Sequence, residues 1–301
     1  MRFWGIAVAL VLTLAVSAGA EDSSRRLDNL AWMKIGAGAR AQALGGAFTA
    51  RADDGTAAYW NPAFLSSFGA YDTEICLMAL PLDFSRRAGF LSYGQTISPN
   101  WGGVAASWNY YRAGDIEERD DAGLPTGSLE DLANGFSLSY GLGVGPDWKV
   151  GTSLHYYWHS LADTEGRGVG LDLAAAYKPK GPWVRWELGA ALKDLSPGMF
   201  WGTGRHESVN PTLRLGVAYH ILYDQLIAAV DFEMPWQQKI VPHAGMEWWA
   251  WEFLAVRAGL DPNGVYLGAG YRAGQYQFDY AYSALLDGLS HEHRLTLMLK
   301  L

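Results

Sequence analysis

The chain has 301 residues and a formal net charge of −8, and charged residues make up only 18% of it, against roughly 25% in an average protein. The negative charge, with no cluster of Lys or Arg to offset it, disfavours nucleic acid as a partner. The single cysteine, Cys76, cannot form an internal disulfide, so hydrogen-bond ladders or a core must hold the fold together.

The first residues have the pattern of a secretory signal peptide. Arg2 supplies a positive charge, residues 4–16 are apolar, and residues 18–20 (Ala-Gly-Ala) form a small-residue cleavage site. The apolar run is shorter than the ~20 residues of a spanning helix, and acidic residues follow it at once. We therefore predict a signal peptide over 1–20 and export. No cysteine lies at the cleavage site, which argues against a lipoprotein anchor.

Residues 28–70 do not alternate in polarity, and they contain the most motif-like stretch of the chain. This stretch, over 38–66, is GARAQALGGAFTARADDGTAAYWNPAFLS. Glycines permit tight or positive-φ backbone, and small alanine side chains let such a backbone pack closely against a wall. The glycines concerned are Gly36, Gly38, Gly45 and Gly46.

Two local signals predict structure inside this stretch. Pro62 pushes Asn61 out of the helical region, and the Asn61 side chain can bond nearby backbone, so the pair predicts a rigid turn. Asp53 and Asp54 precede a threonine, and we expect them to cap a short helix over 55–60.

Downstream of the signal peptide no apolar run is long enough for a membrane helix, and the rest of the chain is predicted to form strands. Alternating segments bounded by Gly, Pro, Asn and Asp give fourteen candidates. They are 71–80, 87–97, 101–112, 134–143, 148–159, 168–178, 183–193, 212–221, 225–234, 239–249, 251–260, 264–272, 276–285 and 292–301. An even number of strands suits a barrel in which both chain termini lie on the periplasmic side.

The final segment shows the alternation most clearly. One face carries Leu295, Leu297, Leu299 and Leu301, and the other carries Arg294, Thr296 and Lys300. The same pattern recurs in 148–159, 184–193, 212–221 and 276–283, whereas 87–97 and 239–260 alternate poorly. One apolar and one polar face over about ten residues is typical of transmembrane β-strands.

The connections give an independent test, because membrane barrels alternate short periplasmic turns with longer external loops. The links 98–100, 144–147, 179–182 and 222–224 are short, and the links 113–133, 160–167, 194–211 and 286–291 are longer. A secreted β-sandwich would also alternate, but it would seldom place Trp and Tyr near so many strand ends, where an aromatic girdle needs them. We predict an all-β fold, a transmembrane antiparallel β-barrel of about 14 strands over 71–301.

The stretch over 38–66 resembles the PorV/PorQ family of outer-membrane proteins, which are relatives of the FadL fatty-acid channels. In that family a Gly-Gly-Ala turn, an Ala-Asp-Asp step and an Asn-Pro-Ala motif precede the first strands. The matching positions are Gly45, Gly46, Ala47, Ala52, Asp53, Asp54, Asn61, Pro62 and Ala63. The segments 247–259 and 276–282 and the final strand are similar to the family's last strands, and 100–240 matches only in style.

The resemblance implies that residues 21–70 fold into the barrel lumen as a hatch or plug, and an outward-facing prodomain is the alternative. The lumen of a barrel of this width must be filled by protein, hold a ligand or contain water. Charged side chains on the polar faces are candidates to face it. They include His155, Asp172, Arg185, Glu187, Arg214, Asp231, Arg272 and Asp279.

We predict no enzymatic site, metal or cofactor. Residues 36–38 lack the β/α context of a dinucleotide fingerprint, and 53–55 lacks the further ligands of a calcium loop. The His-Glu-His sequence at 291–293 has no visible third ligand. No nucleophile could be paired with the polar-face histidines His155, His159 and His220.

Two non-enzymatic functions follow from the resemblance. The first is a PorV/PorQ-type role in transport or protein secretion, in which external loops dock exported proteins. The second is a FadL-like channel for long-chain fatty acids or other hydrophobic small molecules. Both imply the outer membrane of a Gram-negative-type bacterium, contact with its lipid and lipopolysaccharide, and assembly through the C-terminal strand by the barrel-assembly machinery.

The two functions would differ at the external loops. The loop 113–133 is acidic, which suits a protein partner better than a fatty tail. The loop 194–211 carries an apolar group that could serve either function, formed by Met199, Phe200 and Trp201.

Overall fold

The computed structural model describes residues 31–66, 73–222, 224–286 and 291–301. The predicted signal peptide lies outside these residues, as do the start of the predicted strand 71–80 and parts of the links 222–224 and 286–291. Two short α-helices, α1 (Ala39–Ala43) and α2 (Ala57–Trp60), and 3-10 turns at Ala31–Lys34, Pro62–Ser66 and Gly181–Trp183 are present. Among the described residues, no helix has the length and apolar character needed to cross a membrane.

The described residues otherwise form fifteen strands. They are β1 (Thr73–Leu82), β2 (Arg86–Ser98), β3 (Gly102–Arg119), β4 (Pro125–Val144), β5 (Trp148–Leu161), β6 (Thr164–Tyr177), β7 (Trp186–Trp201), β8 (His206–Glu207), β9 (Thr212–His220), β10 (Leu226–Pro235), β11 (Val241–Trp251), β12 (Leu254–Asp261), β13 (Gly264–Ala273), β14 (Tyr276–Leu285) and β15 (His291–Lys300). All pairings are antiparallel, and β15 pairs with β1 to close the sheet. The two-residue β8 pairs only with the end of β7, and β7 pairs with β9 along the wall, so fourteen strands make the barrel. The predicted all-β barrel of about 14 strands is confirmed.

The burial pattern is that of a protein whose apolar face is on the outside. On β15, Leu295 is 55% exposed and the adjacent Arg294 is 2% exposed. Aliphatic and aromatic side chains are exposed in the same way on strands all around the barrel, while polar side chains of the same strands are buried on the lumen side. Such a surface is stable only in contact with lipid, which makes this a transmembrane barrel.

Three predicted loops are wrong in extent. The predicted longer loop 160–167 is only a two-residue turn, because β5 runs to Leu161 and β6 begins at Thr164. The strands β3 and β4 continue to Arg119 and from Pro125, so most of 113–133 is a β-hairpin, and β7 continues to Trp201. Side chains 115–121 are exposed whichever way they point. Alternation therefore disappears where both faces of a strand are in water, although the hydrogen-bond ladder continues. The poorly alternating stretches 87–97 and 239–260 nevertheless form strands, as predicted.

Candidate functional site

The described N-terminal residues lie against the inner faces of the barrel strands. Residues 37–66, which we call the floor, are mostly fully buried and contact strands around the barrel from β2 to β15. Residues 31–36, which we call the strap, continue the floor toward the barrel end opposite Thr73, which we call the outer end. The sequence predicts that the outer end faces the cell exterior. That the segment acts as a hatch stays a prediction.

The Gly45-Gly46 turn brings the floor backbone onto the barrel wall. Both residues have positive φ, 66° and 83°, as the sequence predicts. A Cβ atom on Gly45 would lie 2.7 Å from the backbone nitrogen of Leu260. The Gly45 carbonyl accepts a hydrogen bond from His243 Nδ1 at 2.6 Å, and the Gly46 carbonyl accepts one from Arg214 Nη2 at 2.7 Å. The turn is therefore fixed by polar side chains of the wall.

Glycines in the strands make room for the floor from the other side. A Cβ atom on Gly103 would overlap the carbonyl oxygen of Leu65, and one on Gly141 would overlap that of Pro62. Equally close approaches occur at Gly151, Gly189, Gly245 and Gly259. Backbone therefore packs on backbone at several points around the lumen, and larger residues would displace the floor.

A buried charge cluster ties the floor to the wall. Arg40 binds both oxygens of Glu247, at 2.7 and 2.8 Å, and its Nη1 donates to Asp53 at 2.7 Å and Asp54 at 3.0 Å. Burial would lower the pKa of Arg40, but the three carboxylates outweigh it and raise that pKa well above its ordinary value. The guanidinium is therefore permanently charged and bidentately bound.

A second arginine continues the cluster. Arg51 reaches Glu187 of β7 at 3.2 Å and Asp53 at 2.9 Å. Burial would raise the pKa of Asp53, but Arg40 and Arg51 lower it below its ordinary value of 3.8. The Ala-Asp-Asp step therefore supplies the acidic side of a lock whose other members lie on the barrel wall.

The other motif residues fix the fold of the floor itself. Asn61 Nδ2 donates to the carbonyl of Thr49 at 2.8 Å and to that of Ala175 at 3.2 Å, and its Oδ1 accepts from the Ala63 amide at 3.1 Å. Asp54 Oδ1 accepts from the amide of Thr56, the N-cap of α2, at 2.9 Å. Ala47 is fully buried near the wall. The Asn-Pro-Ala step is thus the rigid turn that the sequence predicts.

Six of the eight predicted lumen-facing side chains are buried among such contacts. The Asp231 carboxylate accepts hydrogen bonds from the backbone amides of Phe48 and Thr49, at 3.1 and 2.8 Å. The others are Glu187, in contact with Arg51, Lys178 and His220; Arg214, with Glu233; Asp279, with Arg257; and Asp172, with His155 at 3.1 Å.

The remaining predicted residues lie elsewhere. Arg185 is half-buried at the end of the barrel near Thr73 and donates to the carbonyl of Ile221 at 3.1 Å. Arg272 is exposed and stacks 4.2 Å from the ring centroid of Trp249. The group predicted in a loop belongs to β7, where Met199 is fully buried, Phe200 is exposed and Trp201 is half-buried.

The sequence analysis missed Arg257, which is 1% exposed and bonds Glu247 and Asp279, each at 2.7 Å. It lies in a stretch that alternates poorly, so its face was not assigned. A single arginine in the otherwise apolar run FLAVRAG, residues 253–259, was the signal that the sequence offered.

The histidines of the 291–293 sequence are bound to neighbouring tyrosines. Tyr282 lies 2.9 Å from His291 Nδ1, and Tyr280 lies 2.8 Å from His293 Nδ1. Across the described ranges, no three His, Cys, Asp or Glu side chains are grouped as metal ligands.

A cavity of about 1810 Å³ lies between the floor and the loops at the outer end. Its lower boundary includes Gly45, Gly46 and the strap, and its upper wall includes residues 205–210 and 236–239. The lining is mixed: apolar side chains such as Leu80, Val209 and Trp236 stand beside Arg214, Glu233 and Arg294. A molecule that enters from the outer end reaches this cavity before it meets the floor.

A second, much smaller cavity of about 20 Å³ lies beneath the strap. It is lined by Trp32, Met33, Tyr59 and polar side chains of β3 to β7, among them His155, Asp172, Lys193 and Asp194. Met33 and Asp194 line both cavities, so the two adjoin there.

No family model and no curated protein sequence match the chain. Its fold is similar to that of solved structures described as hydrocarbon transporters or channels. The toluene transporter TbuX of Ralstonia pickettii has a TM-score of 0.63 at 14% identity, over 88% of this chain and 98% of its own. The toluene transporter TodX of Pseudomonas putida gives 0.61 at 15%, over 87% and 96%.

The monoaromatic hydrocarbon channel CymD gives a TM-score of 0.65 at 13% identity, over 89% of this chain and 98% of its own. The likeness therefore spans nearly the whole of each of these proteins. At such identities it establishes a shared fold: this chain is a transmembrane β-barrel with the architecture of these channels.

Proposed function

We propose that this protein is a passive outer-membrane channel for hydrophobic small molecules. The observation that carries the proposal is the cavity of about 1810 Å³, which faces the outer loops and ends on the floor, inside a barrel whose fold is that of three hydrocarbon channels. This is the FadL-like function that the sequence resemblance implies, and the protein would act without chemical catalysis.

Physical chemistry supports a route for apolar solutes. A hydrophobic molecule gains free energy when it leaves water for apolar lining such as Leu80, Val209 and Trp236, at roughly 25 cal/mol per Å² of buried surface. The floor, which is tied by buried ion pairs, keeps polar solutes from following. Contact with lipid and lipopolysaccharide, and assembly by the barrel-assembly machinery through β15, belong to the same proposal.

A second candidate function is the PorV/PorQ-type secretion adaptor. The β3–β4 hairpin favours it, because its tip is exposed and acidic and could dock an exported protein. The acidic residues are Asp115, Glu117, Glu118, Asp120 and Asp121. In this function the cavity would carry no cargo and the floor would be only a plug.

Uptake by whole cells tests the channel. The protein is expressed in a Gram-negative host that lacks its own hydrophobic-compound channel, and the initial rate of labelled ethylbenzene uptake is compared with that of labelled sucrose. We expect faster ethylbenzene uptake and no change for sucrose.

The matched variants narrow the cavity. Gln42→Trp with Ser208→Trp fills it from the floor and from the loops, whereas Asp163→Trp adds the same side chain at an exposed turn outside it. The first variant should slow ethylbenzene uptake and the second should not. Uptake no faster than in the empty host, together with an exported protein that co-purifies, would replace the channel with the adaptor.

A further inference from the structure

The two cavities meet at a polar junction that the channel function alone does not require. Met33 and Asp194 line both, and the smaller cavity of about 20 Å³ is the size of one water molecule. It is surrounded mainly by polar side chains, although it adjoins a space proposed for hydrophobic molecules. Buried polar groups that lack a partner are costly, so the composition of this pocket calls for a polar occupant.

Lys193 supplies a hydrogen-bond donor at the junction. Its Nζ atom lies 3.8 Å from the centroid of the Tyr59 ring, a cation–π contact. Among the described residues, no carboxylate oxygen lies within 4.0 Å of the Lys193 Nζ atom, which is the distance that an ion pair requires. The three protons of the ammonium therefore have capacity for a further acceptor.

Asp194 supplies an acceptor beside it. Its amide donates to Asp172 Oδ1 at 2.8 Å, but its own carboxylate accepts only a long 3.4 Å hydrogen bond from Tyr157 among the described residues. It also has a φ of 60°, which is unusual for a residue other than glycine, at a point where the β6–β7 ladder is bulged. Strain of this kind concentrates at binding sites.

Asp172, by contrast, is already engaged. His155 lies 3.1 Å from it and is bound in turn by Ser137 at 2.6 Å, and the Asp194 amide occupies its other oxygen. This chain of contacts positions the backbone of Asp194 and leaves the Lys193 and Asp194 side chains as the open donor and acceptor.

An apolar wall stands next to the polar pair. Met33, Ile35 and Val209 line the large cavity and pack on a buried cluster that contains Trp32 and Met199. A molecule at the junction would therefore place an apolar body in the large cavity and a water-sized polar group in the small one.

We infer that Lys193 and Asp194 bind the hydroxyl group of an otherwise apolar, uncharged molecule, such as a phenol or an alcohol. The hydroxyl oxygen accepts from the Lys193 ammonium and its proton is donated to the Asp194 carboxylate. A carboxylate is disfavoured by the charges of Asp172 and Asp194. An ammonium has no acceptor atom for the Lys193 protons. A plain hydrocarbon would displace water from the pair without replacing its hydrogen bonds. This inference rests on the proposed channel function.

Equilibrium binding to the purified full-length protein in lipid nanodiscs tests it. The probes are labelled 4-ethylphenol, ethylbenzene and 4-ethylbenzoate, and empty nanodiscs give the partition of each probe into lipid. After this correction, we expect 4-ethylphenol to bind at least about tenfold more tightly than either of the others. Equal binding of 4-ethylphenol and ethylbenzene, or tightest binding of 4-ethylbenzoate, overturns the inference, and this comparison needs only the wild-type protein.

Variants test whether Lys193 and Asp194 cause the preference for 4-ethylphenol. Lys193→Met keeps the length of the side chain and removes the donor, and Asp194→Gly removes the acceptor at a φ that glycine adopts freely. Each should abolish the preference for 4-ethylphenol, whereas Lys239→Met, at an exposed lysine of the outer mouth, should retain it. A preference that survives in Lys193→Met overturns the assignment.

Failure of the inference is distinguishable from failure of the channel. If cells take up ethylbenzene through the protein and the phenol has no advantage, the hydroxyl subsite is wrong and the channel stands. If no probe binds above empty nanodiscs and none is taken up, the proposed function falls and the subsite falls with it.

Discussion

The floor and the strap are continuous in sequence but are held by different forces. The floor is seated on strand glycines and bound through buried charges, with Arg40 in contact with three carboxylates. The strap is held by hydrogen bonds from Arg294 and Tyr59 to its backbone and by the edge of Trp32 against Tyr157. From this difference we expect the floor to be the more rigid of the two and the strap, next to the junction of the two cavities, to be the more easily moved.

The largest expected effect is on the floor, from Arg40→Ala. Removal of one partner from a buried ion pair costs about 3–5 kcal/mol. Here Asp54 loses its cationic partner, whereas Glu247 keeps its ion pair with Arg257 at 2.7 Å. We expect faster hydrogen exchange throughout 37–66 and a pore that conducts ions in planar bilayers. Arg119→Ala, at the exposed pair with Glu117, should change stability by only about 0–1 kcal/mol. An unchanged floor in Arg40→Ala would show that the charge cluster is not what holds it.

Gly141→Val tests the seat of the floor on the wall. Its side chain would meet the Pro62 carbonyl, and overpacking of this kind costs about 1–3 kcal/mol. We expect leakage of small polar solutes from proteoliposomes. Gly143→Val is the matched control two residues along β4, because a Cβ atom there has no neighbour within 4 Å. Equal leakage from both variants would attribute the effect to the strand and not to the floor.

Acid should loosen the floor through Asp53. Its pKa is lowered in the folded protein, so its contribution to stability is complete above its unfolded value of about 4 and is lost as the pH falls through the lower folded value. The difference in thermal stability between wild type and Asp53→Asn should therefore be constant from neutral pH to about pH 5 and shrink below about pH 4. A difference that grows on acidification would contradict the assigned direction.

The smallest effect is expected on the strap, from Tyr59→Phe. This change removes one hydroxyl, which donates to the Met33 carbonyl at 3.0 Å and accepts from the Gly36 amide at 3.2 Å. Each neutral hydrogen bond is worth about 0.5–1.5 kcal/mol. Hydrogen exchange should rise at residues 33–36 and stay unchanged at 39–60. Faster exchange in both regions would mean that floor and strap move as one body.

Much of the barrel was predictable because its signal is local. The period-two alternation of 148–159 and 294–301 follows from the pleat of each strand, and an apolar outer face is imposed by lipid whatever the partner strands are. The predicted barrel strands that alternate clearly are present for this reason, and those in 87–97 and 239–260 were found from their bounding turn residues. The turn at Asn61 and Pro62 and the positive φ of Gly45 and Gly46 were equally local.

The site depended on contacts that no local pattern contains. Arg40 and Glu247 are 207 residues apart, and their pairing is set by the path of the floor through the lumen and by the register of β11. Lys193 and Asp194 lay in a predicted loop or at its edge, because the β7 bulges break the alternation at that point. The sequence by itself determined the membrane-facing surface and the strand order, since both follow from side-chain periodicity and short connections. The tertiary structure alone decided which buried charges meet, because opposite sides of a closed barrel come together only when the lumen is filled.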